Sequence, residues 1–140
     1  MRKQSREIVF KLLFAKQYGQ KIEQNDFDID ELLGVMLDEM GLDIQNIDID
    51  YVRDTYNAVV ASFEHLSDVV NKHVNKYAQN RIYNADFIIL ALAIYELEQN
   101  SLDSKIVVSE AIKLAKKYST ENSIKFVNGV LGAIIKEKND

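Results

Sequence analysis

Residues 85–97 read Ala-Asp-Phe-Ile-Ile-Leu-Ala-Leu-Ala-Ile-Tyr-Glu-Leu, and this stretch decides the fold. Ten of the eleven residues from Phe87 to Leu97 are apolar or aromatic, with Glu96 the one interruption. A surface helix keeps a single apolar stripe, whereas a segment apolar on nearly every side is enclosed by its neighbours. Strand is the rival reading of a short apolar run. The Ala and Leu residues favour helix, and no Gly or Pro bounds the run. At about a dozen residues it falls short of the roughly 20 needed to cross a bilayer. The expectation is an all-α protein built around one central buried helix.

The rest of the chain agrees with that class. Its 140 residues suit one domain, 1–140, able to bury a core without disulfides or metal. No Cys is present, which excludes a disulfide framework, a thiolate nucleophile and a zinc–thiolate site. Lys11 and Lys16 interrupt the apolar residues of the first helix, so the beginning does not read as a signal peptide, and a cytoplasmic location is expected. The net charge of −5 conceals a polarity. Residues 1–22 carry six Lys/Arg against Glu7, whereas residues 23–54 carry eleven Asp/Glu against Arg53 alone. A mildly acidic chain with a basic start is compatible with a nucleic-acid partner, because local fields steer encounter. The plainer reading is a solvated acidic face beside an ordinary basic helix.

Periodicity places a first helix from about Lys3 to Tyr18, with Val9, Leu12 and Leu13 inward and Gly19 as a left-handed cap. Arg2, Lys3 and Arg6 stand at its start, where the helix dipole disfavours cations, and bound anion would explain them. Residues 20–27 read as a loop. A second helix spans Asp28 to Met40, capped near Asp28 or Asp30 and closed by Gly41. The Asp26-x-Asp28-x-Asp30 spacing resembles a calcium loop, but Glu31 and Leu37 occupy the positions that need Gly and Glu. A third helix starts near Asp48 or Asp50. The pattern restarts at Ser67 or Asp68 as a fourth helix reaching Tyr77, with one bent helix as the alternative. His65 and His73 straddle that expected break and lack the further ligands of a metal site. After the central helix and a polar loop, Asp103 or Ser104 caps a sixth helix to Tyr118, and Thr120 caps the seventh. In this last helix Ile124, Val127, Leu131, Ile134 and Ile135 form the stripe. Asn128 is expected as a buried amide, and Phe126 at the stripe edge is either core filler or a ring for base stacking.

Tyr95-Glu96-Leu97, Ser109-Glu110-Ala111-Ile112-Lys113-Leu114-Ala115-Lys116 and Ser123-x-Lys125-Phe126-Val127-Asn128-Gly129-Val130-Leu131 resemble the NusB transcription antitermination-factor family. Arg6-Glu7 followed by Leu12-Leu13-Phe14 is similar to that family's first helix. The resemblance implies a seven-helix fold, two three-helix bundles plus one helix. It implies binding of boxA single-stranded RNA together with NusE, a small-subunit ribosomal protein. The pair would join an antitermination complex on RNA polymerase transcribing ribosomal RNA operons. By matching position, the RNA surface would include Arg2, Lys3, Arg6, Asn122, Lys125 and Phe126. The partner surface would lie around Arg81 and Asp86. The chain departs from the family pattern at Phe87, Ala91 and Ser109, and in the missing proline before the sixth helix.

No cofactor or metal is implied, and monomer and homodimer are both compatible with the sequence. An enzyme is disfavoured because no GxSxG, GxGxxG or P-loop occurs. The remaining rival is a helical protein-binding adaptor that uses the acidic segment and has no intrinsic RNA affinity.

Overall fold

The computed structural model describes residues 2–19, 29–74 and 82–139, except the side chain of Arg2. The expected loop at 20–27, the cap at Asp28, the helical place of Tyr77 and the partner residue Arg81 lie outside the described residues. Among the described residues seven α-helices occur in order: α1 Arg2–Tyr18, α2 Ile29–Met40, α3 Ile49–Ala61, α4 Phe63–Val74, α5 Asn84–Gln99, α6 Ser104–Tyr118 and α7 Glu121–Asn139. A single 3-10 turn, Ile44–Asn46, stands between α2 and α3, and no strand forms among the described residues. The chain divides into two compact units, residues 1–60 and 61–140.

In the first unit, α1 buries more than its expected stripe. Ile8, Val9, Phe10, Leu12 and Leu13 are all inside, and so are Ser5, Arg6 and Glu7. Ser5 Oγ accepts the Asp48 N–H at 2.9 Å, and Asp48 in turn caps α3 by accepting the Tyr51 N–H at 3.1 Å. The turn after α2 follows from Gly41, whose φ of +66° is open to glycine at no steric cost. The Leu42 N–H reaches back to the Leu37 carbonyl at 2.9 Å and the Gly41 N–H to Asp38 at 3.2 Å, satisfying carbonyls the helix end would orphan. Gly19 differs from its expected role. It has no positive φ, and a Cβ there would collide with the Ala15 carbonyl oxygen, so close approach requires the glycine. Burial pushes the Tyr56 phenol of α3 up to about 12.

In the second unit, α5 packs against α4, α6 and α7. Every residue from Ile88 to Ile94 is buried, together with Leu97. Burial on all sides is what the near-continuous apolar run demands. Asn100 ends α5 in the left-handed conformation at φ 58°. Lys138, from the far end of α7, donates to the Leu97 carbonyl and to Asn100 Oδ1, both at 2.9 Å. An ammonium at the negative end of a helix dipole is favourable as well as hydrogen-bonded.

The break before α4 falls at Ser62 rather than at Ser67. The Leu66 N–H already bonds the Ser62 carbonyl at 3.0 Å, and Leu66 opens the buried line completed by Val70, His73 and Val74. Ser67 therefore lies inside the helix. Both histidines belong to α4. His65 meets Glu98 at 2.8 Å on the surface. The buried His73 places Nδ1 2.9 Å from the Val69 carbonyl and Nε2 3.4 Å from Glu137.

Candidate functional site

The corner between α6 and α7 holds the main cluster of candidate residues. Asp103 caps α6 by accepting the Lys105 N–H at 2.9 Å, and α6 ends at Tyr118 with Lys116 and Lys117 in its last turn. Thr120 begins α7 as expected, its Oγ1 accepting the Ser123 N–H at 3.1 Å. Behind this corner lies a carboxylate. Asp86, in the first turn of α5, is only 2% exposed. Ser119 Oγ donates to its Oδ1 at 2.6 Å and Ser123 Oγ to its Oδ2 at 2.7 Å. Thr120 Oγ1 and Ser119 Oγ lie 2.9 and 2.8 Å from Ser123 Oγ. Each hydroxyl has one proton, so Ser119 can serve Asp86 or Ser123 but not both at once. A carboxylate without a cation is costly to bury, and donors of this kind are what make it tolerable.

This arrangement gives Asp86 a different role from the one expected of it. A side chain this enclosed, with both oxygens occupied by the chain's own hydroxyls, cannot offer itself to a partner's surface. It instead fixes where α7 starts, and thereby which face of α7 meets solvent. The buried line of α7 runs through Ser123, Val127, Val130 and Leu131. That line is turned by roughly 45° toward Val130 from the one the isoleucines suggested. Ile124, Ile134 and Ile135 are half-buried in consequence, and Asn128 is exposed rather than buried. Lys125 and Asn122 are exposed on the outer side, and Phe126 sits half-buried between the two faces. Together with Lys116 and Lys117, the corner presents three lysines within ten residues, beside the positive end of the α7 dipole.

The basic start of α1 divides. Lys3 is exposed. Arg6 is only 4% exposed, and its guanidinium carbon lies 6.0 Å from the centre of the Tyr51 ring. A buried guanidinium over an aromatic face is part of the packing. Arg6 is therefore corrected from an RNA-facing cation to a structural one: the buried run from Ser5 through Phe10 turns its side chain inward. At the entry to α5, Tyr83 and Asn84 are exposed. Ser119 and Ser123 escaped the sequence reading, because a serine at a helix start looks like a cap. The available signal was Asp86, a carboxylate opening an otherwise apolar helix.

Among the described residues no helix is long and apolar enough to cross a membrane. Helical throughout its regular described structure, with the Asp86–Ser119–Ser123 cluster internal and the outer α7 face basic and amide-bearing, the chain has the form of a binding module. The NusB family matches residues 3–136, and the chain belongs to that family. The transcription antitermination protein NusB of Clostridium novyi is 34% identical, over 96% of this chain and 98% of its own. Among solved structures, NusB of T. maritima superposes with a TM-score of 0.77 at 33% identity, covering 98% of this chain and 92% of its own. A NusB solved with NusE and dsRNA has the same fold, with a TM-score of 0.69, 23% identity and 98% of each chain covered. The family is one of antitermination factors, not enzymes.

Proposed function

We propose that this chain is an RNA-binding antitermination factor that takes up boxA-type single-stranded RNA together with NusE. In this reading residues 1–140 act as one RNA-binding domain in the cytoplasm, within an RNA polymerase complex that transcribes ribosomal RNA operons processively. The observation that carries it is the outward face of α7, where Asn122 and Lys125 are exposed beside the half-buried Phe126 ring. Lysines neutralise phosphates and fix register, an amide reads base edges, and an aromatic edge takes an unstacked base. Lys3 supplies a further cation from α1, and Arg2 is assigned to the same role. Partner binding falls to the entry of α5, around Arg81 and the exposed Tyr83, with Asp86 holding the helix start from within. The NusB of the solved complex was crystallised with NusE and dsRNA, which agrees with such a pairing.

The test is a fluorescence-anisotropy titration of boxA RNA, with and without NusE, against the parent and Phe126→Ala. Loss of one base–aromatic stack should weaken binding by about 1–3 kcal/mol. Sedimentation of the free protein separates monomer from homodimer. Equal RNA affinity in both proteins would remove Phe126 from the interface. An absence of RNA binding with NusE binding retained would favour the adaptor.

A further inference from the structure

The first unit carries a surface that includes none of the residues proposed for RNA. An open groove of about 820 Å³ lies between α2 and the turn that follows it. Val35 and Ile44, 50% and 55% exposed, stand on its lining, and they are two of the four large hydrophobics most open to solvent among the described residues. Single exposed hydrophobics are ordinary, whereas two that share one concavity offer apolar surface that a partner could cover. Gly34, beside Val35, is also exposed, and a Cβ built on it would meet nothing within 4 Å. Glycine and valine are both poorer helix formers than the residues usual on a solvent-facing helix. Neither choice is required by packing within the unit. Val35 and Ile44, with Leu37 and Leu42, form an apolar strip in the groove lining.

The rim of the strip is acidic. Asp30, Glu31, Asp38 and Asp43 line it. Asp30 already binds a guanidinium, taking Arg53 Nε at 3.0 Å and Nη2 at 2.7 Å. The described segment that holds the groove, residues 29–54, has eight carboxylates against that one arginine. Such a field repels nucleic acid and attracts cations. From the apolar strip and its acidic rim we infer that the groove between α2 and the Ile44–Asn46 turn docks a basic amphipathic helix of a partner protein. The apolar side chains of that helix would rest on Val35 and Ile44, and its Lys/Arg residues would meet Asp38 and Asp43. A second copy of this chain fits poorly as the occupant. The apolar side chains of its basic α1, from Ile8 to Leu13, are already buried, and its lysine-bearing α6 likewise buries Val107, Ala111 and Leu114. This surface stands independently of the RNA reading.

The test uses isotope-labelled full-length protein and three probes: a two-faced Leu/Lys helical peptide, its Leu/Glu counterpart, and oligolysine. Binding of the Leu/Lys peptide should shift the amides of Gly34, Val35, Gly41 and Ile44, and the Leu/Glu peptide should not bind. Val35→Ala with Ile44→Ala should weaken the Leu/Lys peptide about tenfold through lost apolar burial. Asp38→Asn with Asp43→Asn should weaken it about fivefold, and less so at high salt. Glu64→Gln with Asp68→Asn, on α4, removes the same charge elsewhere and should change binding less than about twofold. Circular dichroism confirms that each variant is folded, as expected for exposed positions. Three results would overturn the proposal: parental affinity in the groove variants, oligolysine binding as tightly as the Leu/Lys peptide, or groove amides that shift with protein concentration alone.

Discussion

Replacing Asp86 by Ala separates the two roles that residue could have. The change strands the Ser119 and Ser123 hydroxyls, which now bond the carboxylate at 2.6 and 2.7 Å. A hydrogen bond to a charged group contributes about 1.5–3 kcal/mol, and relief of the carboxylate's own desolvation offsets part of that. The serines can also recover one bond between themselves. The expected net loss is about 2–4 kcal/mol. Urea melts should show a lower midpoint with an unchanged slope, and melting should fall by about 5–15 °C for a chain of this size. Asp86→Asn keeps one acceptor and should lose about half as much. NusE and RNA affinities, measured well below melting, should fall together and modestly, because both depend on how α7 is set. A normally stable Asp86→Ala protein that selectively loses NusE binding would refute the positioning role and return the carboxylate to the partner surface.

The remaining predictions concern single features. Leu90→Ala should cost about 2–5 kcal/mol in chemical denaturation, as expected for a cavity in the most enclosed helix. Lys3→Gln should leave melting unchanged and flatten the RNA salt dependence by about 0.7 in log K against log salt, whereas Arg6→Gln should lower melting itself. Gly41→Ala, at φ +66°, should cost about 1 kcal/mol in the same assay. The Tyr56 phenol is pushed up to about 12 by burial, so its contribution is complete below pH 10 and is lost as pH rises from there through about 12. Tyr56→Phe should therefore show a shallower alkaline decline in stability.

The fold was legible because its strongest determinant is local. An apolar run with no polar face has one comfortable place in a helical protein, and α5 occupies it. The caps at Asp48, Asp103 and Thr120, and the turn at Gly41, were legible for the same reason: each acts within a few residues of itself. What escaped was contact between distant parts of the chain. Arg6 reads as a surface cation until Tyr51 is placed beside it. Asp86 reads as a surface acid until two serines more than thirty residues away are brought to it. Asn128 was misplaced because the isoleucines of α7 drew the stripe toward themselves, while Ser123 and Val130 set the buried line. Periodicity counts hydrophobicity, and a hydroxyl bound to a buried carboxylate is invisible to it.

One consequence follows from the two ends of α7. Near its start Ser123 is bound by Asp86 of α5, and near its finish Lys138 is bound by Leu97 and Asn100 at the other end of the same helix. The two helices therefore run parallel, bolted together at both extremities. Removing or adding one residue between Ser123 and Lys138 would turn everything beyond it by about 100° and slide it about 1.5 Å. One bolt or the other would then have to open. The length of α7 is accordingly as constrained as its chemistry. Point substitutions on its outer face, outside the RNA-facing Asn122, Lys125 and Phe126, should be freely exchanged among relatives, while insertions and deletions should be confined to the residues beyond Lys138.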